Sequence, residues 1–213
     1  MESKELILKR AETLFMKYGI KSVTMDDVAR ELGISKKTLY QHFENKADII
    51  HQMVIQHLQR DDKLISEIQN MSKDAIDEIL KVARHVTAEI ARMVAPNTIY
   101  EMKKYYQKSW ELINEHKQTK IYDNIRQNME RGIREGLYRA NINPDIIARL
   151  YVSQTDCVTD DDIFPTEHYE KKNLFIQCFH YHIHGIASEL GLKILKERME
   201  TIGPRYETVS ATI

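Results

Sequence analysis

The sequence predicts an all-α protein with two domains, a short N-terminal helical module and a longer helical body. Apolar residues recur at spacings of three and four along almost the whole chain, which is the period of an amphipathic helix. The seven glycines and four prolines fall mainly between these periodic stretches, where they end one helix or begin the next. Charged residues make up 30% of the chain and nearly cancel, so the overall charge indicates no class of partner.

The N-terminal module begins with two predicted helices. Apolar residues at helical spacing predict a first helix that ends at Gly19. A second helix should begin at Met25, because Thr24 is a good N-cap and Asp27 can complete a capping box three residues later. Basic residues slightly outnumber acidic ones up to Lys46, which is compatible with phosphate binding but is weak support for it.

A third helix follows a short turn. Gly33 supplies the permissive backbone that ends the second helix, and Ser35 caps a helix running from Lys36 to about Phe43. Leu39 lies four residues before Phe43, so both should face inward. Two helices joined in this way form a helix-turn-helix, whose second helix suits the major groove of DNA. The polar residues left outward on that helix are Lys36, Lys37, Thr38, Tyr40, Gln41 and His42.

An ordinary helical hairpin with solvated lysines is the alternative interpretation. However, the segment GISKKTLYQHFENK resembles the DNA-binding signature of the tetracycline-repressor (TetR) family of bacterial transcriptional regulators. The resemblance extends from about Lys4 to Ile50 and includes the TMDDVARELGIS segment and the LYQHF core. It implies a DNA-binding domain at residues 1–46 and a helical ligand-binding and dimerisation domain at 47–203. Gly203 and Pro204 mark the start of a tail at 204–213.

The resemblance also implies which residues touch DNA. Base edges are read at the start of the recognition helix, at positions that correspond to Lys36, Lys37, Tyr40 and Gln41. Phosphate contacts are made at positions that correspond to Thr24, Thr38, Tyr40, His42 and Lys46. Two successive lysines depart from many relatives, so which of them reads a base stays open.

The body is predicted as a series of helices separated by caps and breaks. A long helix follows Asn45 and ends near Ser72, which is predicted to cap the next. Asn143 and Pro144 form an N-cap and first-turn proline that open a helix ending at Asp160. The remaining predicted helices cover Thr98 to Gly136 with an interruption near Lys104, Thr166 to Ala187, and Ser188 to about Thr201.

Aromatic residues and methionines of the body have two interpretations. They can be ordinary helical core, with tyrosine hydroxyls at its rim. In regulators similar to this chain, the body holds a small-molecule pocket among its middle helices, so the same residues are candidates for lining one. The candidates for binding a small-molecule effector are Met93, Tyr100, Met102, Tyr106, Trp110, Tyr122 and Tyr151.

Two late predicted helices, Asp145 to Asp160 and Thr166 to Ala187, carry more apolar residues than packing one helix face against the protomer's own core requires. We therefore expect them to form a four-helix interface with a second copy of the chain. Alternatively, these residues all face the core of their own protomer. The candidates for the homodimer interface are Ile147, Leu150, Phe175, Phe179, Ile183 and Ile186.

The HYHIH segment and the cysteines give little support for an enzyme. His180 and His184 share a helical face, but no acidic or cysteine residue is in register to complete a metal site, so we expect no metal and no cofactor. The alternative is a metal site to which Glu167 and His168, or Asp160 to Asp162, contribute from the preceding loop. Cys157 and Cys178 are expected to be reduced, buried thiols, with a redox sensor as the alternative. No secretory signal or membrane-spanning run was recognised, and a cytoplasmic protein is expected.

The sequence therefore predicts a ligand-responsive transcriptional repressor that binds a palindromic DNA operator as a homodimer and is released by a small molecule. The alternative is a helical ligand-binding protein or enzyme in which the hairpin is incidental.

Overall fold

A computed structural model describes residues 4–92 and 98–202. Over these ranges the chain forms eleven α-helices and one π-helical segment, and its β-structure is limited to a single bridge between Tyr138 and Ala187. The prediction of an all-α fold is confirmed. The helices are α1 (Lys4–Tyr18), α2 (Met25–Glu31), α3 (Lys36–His42), α4 (Lys46–Met71), α5 (Ala75–Arg92), α6 (Thr98–Tyr105), α7 (Gln107–His116), the π segment (Lys117–Ile121), α8 (Tyr122–Arg134), α9 (Pro144–Thr159), α10 (Lys171–Ile186) and α11 (Glu189–Ile202).

Two compact units make up the chain. The first comprises Met1–Leu64 and Ala91–Lys117, and the second comprises Ile65–Ile90 and Gln118–Ile213. Each has its own apolar core. The first unit extends past residue 46 because α6, α7 and much of α4 pack with the N-terminal helices. This division describes packing, and the functional boundary after residue 46 stays a prediction.

Helices α1 and α4 of the first unit are joined by charged side chains. Glu12 on α1 accepts a hydrogen bond from Arg60 at 2.6 Å and lies 3.0 Å from Nδ1 of His57. Burial raises the pKa of Glu12, but its hydrogen bonds with His57 and Arg60 outweigh that effect and hold the pKa below its ordinary value. The carboxylate is therefore the stable form in the folded unit.

The second unit contains a buried polar group at the junction of α5 and α8. The Tyr138 hydroxyl donates to Oδ1 of Asn128 at 2.9 Å and approaches the carbonyl oxygen of Ala75 at 3.2 Å. Nδ2 of Asn128 donates to the same carbonyl at 3.0 Å. Burial raises the pKa of Tyr138 well above its ordinary value, so the hydroxyl keeps its proton.

Ion pairs extend this junction to α11. Arg131 on α8 pairs with the buried Glu78 at 3.0 Å and with Glu135 at 2.8 Å. Arg198 on α11 forms a two-point contact with Asp74, the residue before α5. These contacts connect α5, α8 and α11 within the second unit.

The cap of α5 differs from the prediction. Ser72 was expected to cap α5, but its hydroxyl donates instead to the carbonyl oxygen of Ile68 at 2.6 Å, at the end of α4. Asp74 provides the cap, because its carboxylate accepts from the backbone N–H groups of Ile76 and Asp77 at 3.0 Å.

Other predicted helix limits had mixed outcomes. The N-cap role of Asn143 and the first-turn position of Pro144 are confirmed. The helix predicted from Thr166 begins only at Lys171, so that prediction is wrong. The interruption predicted near Lys104 is confirmed, because α6 ends at Tyr105, but the long helix predicted to follow it is itself interrupted by the π segment. No helix within the described ranges is long and apolar enough to cross a membrane.

Gly132 lies in α8 directly beneath the Tyr138 ring. A Cβ atom added there would fall well inside contact distance of three ring carbons, so Gly132→Ala must displace a fully buried aromatic side chain. We expect it to lower the free energy of unfolding by about 2 kcal/mol, measured by urea denaturation.

Gly185→Ala is the matched control, because no described atom lies within 4 Å of the Cβ position at that helical glycine. It should be neutral or slightly stabilising, since alanine has the higher helix propensity. Equal losses in the two variants would contradict the packing explanation.

Candidate nucleic-acid interface

A capping box fixes the start of α2. The backbone N–H of Asp27 donates to Oγ1 of Thr24 at 3.2 Å, and the backbone N–H of Thr24 donates to the Asp27 carboxylate at 2.9 Å. The prediction for these two residues is confirmed. Hydrogen bonds from the side chain and backbone of Thr24 lower the pKa of Asp27, so the cap stays ionised.

The turn between α2 and α3 depends on a left-handed glycine. Gly33 has a φ angle of +65°, which a residue with a side chain rarely adopts. The N–H of Ile34 then donates to the carbonyl oxygen of Ala29 at 3.0 Å, and Ile34 packs against the core of the first unit. Ser35 caps α3 by accepting from the N–H of Thr38 at 3.0 Å. These contacts set the direction in which α3 leaves the turn.

Helix α3 buries one face and exposes the other. Leu39 and Phe43 are 0% and 1% exposed, as the four-residue spacing predicted. The candidate DNA contacts occupy the remaining surface, with Lys36, Lys37, Tyr40 and Gln41 exposed and Thr38 and His42 half-buried. The structure therefore brings these six residues together on one helix, while their contact with DNA stays a prediction.

Lys36 and Lys37 have different surroundings. Nζ of Lys36 lies 2.7 Å from the Asp26 carboxylate, and this hydrogen bond raises the pKa of the lysine. Lys37 is exposed and has no ion-pair partner among the residues that the structure describes. Asp26 was not identified from the sequence, although its position in the first turn of α2, beside the start of α3, could have indicated it.

Lys46 lies at the first position of α4. Its ammonium group is 5.8 Å from the centre of the Phe15 ring, a cation–π distance. Partial burial lowers the pKa of Lys46, and this effect exceeds the opposing influence of Glu101 and Asp27. The lysine is thus positioned by packing at the helix start, where the family resemblance implies a phosphate contact.

Candidates for effector binding are divided between the two units. Met102, Tyr106 and Trp110 pack in or against the core of the first unit, and Tyr100 is exposed on α6. Met93 lies outside the described residues.

The other two effector candidates, Tyr122 and Tyr151, belong to the second unit. The Tyr122 hydroxyl donates to Asp145, while the Tyr151 ring meets His182 edge-on at a centroid distance of 4.5 Å. Burial raises the pKa of Tyr151 to about 12 and lowers that of His182 to about 4. Both side chains are therefore neutral near pH 7.

The structure corrects most of the predicted dimer contacts. Four of the six side chains lie in the protomer's own core and offer no surface to a second copy: Phe175, Phe179, Ile183 and Ile186. Ile147 is half-buried against the same core, whereas Leu150 is 60% exposed. Ile146 and Tyr181, which were not predicted, are 54% and 80% exposed on the same pair of helices.

The second unit contains the histidines of the HYHIH segment and both cysteines. The rings of His180 and His184 are 6.0 Å apart, as expected for a shared helical face. Across the described ranges, no three histidine, cysteine, aspartate or glutamate side chains are grouped so that they could hold a metal ion. Cys157 is exposed and Cys178 is half-buried, so the expectation of a buried thiol is wrong for Cys157.

Comparison with known proteins bears on the helix-turn-helix. A family model described as bacterial regulatory proteins, tetR family, matches residues 7–53. The HTH-type transcriptional regulator YvaF of Bacillus subtilis is 26% identical over 169 residues, which are 69% of this chain and 76% of YvaF. IcaR of Staphylococcus aureus, a negative transcriptional regulator of the biofilm operon icaADBC, is 36% identical over 76 residues, which are 36% of this chain and 41% of IcaR.

A solved structure shares the fold over most of the chain. It is a putative transcriptional regulator from Saccharomonospora viridis in complex with choline, with a TM-score of 0.69 and 18% identity. The similarity covers 87% of this chain and 98% of that protein, so it extends well beyond the helix-turn-helix.

Removal of the Thr24 hydroxyl should destabilise the first unit. We expect Thr24→Ala to lower the free energy of unfolding by about 1 kcal/mol, because the Asp27 N–H loses its acceptor. Thr24→Ser keeps the hydroxyl and should retain most of the stability. Thermal unfolding of these variants, with Ser22→Ala as a control at a nearby exposed hydroxyl, measures the effect. A loss of the same size in Ser22→Ala would contradict the capping role.

Proposed function

The chain belongs to the TetR family of bacterial regulatory proteins and is a transcriptional regulator, and on that premise we propose that it is a repressor that a small molecule releases from its operator. It acts in the cytoplasm as a homodimer on a palindromic site.

The observation that carries this proposal is the division of α3 into a buried and an exposed face. Leu39 and Phe43 fix the helix in the core, so the polar side chains around Lys37 project from a rigid support. Lys37 reads a base edge, since its ammonium group is free to enter the major groove. Thr24 and Lys46, each at the start of a helix, contact phosphates, where N–H groups and positive charge favour anions.

Repression and effector release have separate support. IcaR, which matches the N-terminal part of the chain, is named a negative regulator. The regulator of similar fold from Saccharomonospora viridis holds choline, which supports a small-molecule site in this chain also. Met102, Tyr106 and Trp110 are the strongest candidates for lining that site in the first unit, because they pack in the same core as the start of α4.

An effector that prefers one arrangement of these helices would shift α4. In a dimer, that shift changes the separation of the two recognition helices, and the operator is released. The coupling requires only that the effector bind the two arrangements with different affinity.

Exposed apolar residues of α9 and α10 support the homodimer. Ile146, Leu150 and Tyr181 leave large apolar side chains in solvent on two helices that pack against each other. A second copy that pairs the same helices would cover them. The two recognition helices would then read half-sites about one helical turn apart, roughly 34–36 Å, or a small multiple of it.

A gel shift with the DNA upstream of the chain's own gene, followed by footprinting, tests the function. The proposal expects a protected site with two-fold symmetry. Absence of binding to any tested duplex, at low salt, would contradict it.

Lys46→Ala should reduce the dependence of DNA binding on salt. Loss of one phosphate contact per protomer lowers the slope of log affinity against log salt concentration by about one for each head. Lys63→Ala, at an exposed lysine much further along α4, is the matched control and should leave the slope unchanged. Fluorescence anisotropy over a salt series measures both. An unchanged slope for Lys46→Ala would rule out its phosphate contact.

Leu150→Glu should separate the dimer. A carboxylate at this exposed position would be buried without a partner in the proposed interface, and the dimer should dissociate at micromolar concentration. Met71→Glu alters another exposed apolar residue, at the end of α4, and should remain dimeric. Sedimentation velocity distinguishes the two outcomes. If the wild type is itself a monomer at that concentration, the dimer proposal is wrong.

A further inference from the structure

We propose that Asp26 is a specificity-determining residue, which restrains Lys36 and thereby weakens binding to DNA that lacks the operator sequence. The inference rests on the proposed DNA-binding function and goes beyond the contacts that the family resemblance implies, because Asp26 is not among them.

The two acidic residues at the start of α2 have separate partners. Asp27 is occupied by the Thr24 cap and by Arg30, whose guanidinium group is 2.9 Å from its carboxylate. Asp26 takes no part in that cap and pairs with Lys36 across the turn, at 2.7 Å. Because Lys36 is the first residue of α3, the pair lies at the end of the recognition helix where base edges are read.

The stability of the fold does not explain the pairing of Lys36 with Asp26. The side chains of Lys36 and Asp26 are 57% and 55% exposed, and ion pairs of that exposure contribute little to stability because water and salt screen them. The start of α3 is also already capped by Ser35. We therefore infer that the pair affects the binding of DNA to this surface.

The pair reduces the positive charge that the protein offers to DNA phosphates. Binding to non-operator DNA depends on how many phosphates the protein neutralises, since each releases condensed counterions. A lysine held by a carboxylate supplies less of this general attraction than a free one. At the operator, Lys36 can exchange Asp26 for a base or phosphate in a defined position, so the restraint weakens specific binding less.

Lys37 shows the contrast within the same helix. It follows Lys36 by one residue and therefore points about 100° around the helix axis. No carboxylate pairs with it in the parts of the chain that the structure describes. Asp26 thus leaves one lysine free to read bases and restrains the other.

The test compares two variants with the same change in charge. Asp26→Asn frees Lys36, whereas Glu31→Gln removes an exposed carboxylate from the same helix without touching the pair. Affinity for a random-sequence duplex is measured by anisotropy over a salt series. We expect Asp26→Asn to bind about threefold more tightly and to raise the salt slope by up to about one per head. Glu31→Gln should stay close to the wild type.

A second background shows whether Lys36 carries the effect. In Lys36→Met protein, Asp26→Asn should no longer raise the affinity for the random-sequence duplex. With the operator that footprinting identifies, Asp26→Asn should gain less affinity than with random DNA. The ratio of operator affinity to random-DNA affinity therefore falls. Thermal unfolding of each variant verifies that the first unit is folded.

Three results would overturn the inference while leaving DNA binding intact. Asp26→Asn could bind random DNA like the wild type, Glu31→Gln could match its gain, or the gain could persist in the Lys36→Met background. Wild-type protein that binds no duplex at all would instead overturn the proposed function together with this inference.

Discussion

The candidate interface depends on the burial of one side chain of a seven-residue helix, Leu39, and of the residue that follows the helix, Phe43. Leu39 and Phe43 anchor α3 in the apolar core of the first unit, and a helix this short would not be stable in water by itself. Because the two residues are four apart, their burial determines which positions face outward. The packing of these two side chains therefore both stabilises α3 and orients it, and it leaves the polar residues of α3 facing solvent.

The second unit is specified in another way. Its helices meet at a buried polar junction in which Tyr138, Asn128 and the carbonyl oxygen of Ala75 satisfy one another. Burial raises the pKa of Glu78 despite its pairing with Arg131, so this carboxylate depends on its partner to remain charged. Such junctions contribute modest net stability, but removal of one member leaves the others buried and unpaired. They therefore favour one arrangement of α5 and α8 over other arrangements that would bury the same apolar area.

Helix caps that depend on nearby residues were predictable from the sequence, and contacts between residues distant in sequence were not. The Thr24 capping box and the Asn143 cap depend on residues within one helical turn, so spacing alone identified them. At α5, Ser72 was predicted as the cap, but Asp74 caps the helix and also contacts Arg198, which is distant in sequence.

Periodicity also located apolar faces without saying what covers them. Phe179 and Ile183 were assigned to a partner, but α10 turns that face into its own core. The pairing of Asp26 with Lys36 crosses a turn and joins two helices, so neither helical pattern revealed it.

The π segment at Lys117–Ile121 has a consequence for evolutionary comparison. A π turn accommodates one residue more than an α-helical turn, so the segment behaves as a single-residue insertion within a helix. The residues of α8 are therefore rotated by about 100° around the helix axis relative to an uninterrupted helix. An alignment with a homologue that lacks this bulge therefore needs a one-residue gap here. Without the gap, solvent-facing and core-facing positions of α8, including Met129 and Gly132, would be equated wrongly, and substitution patterns along the helix would be misinterpreted.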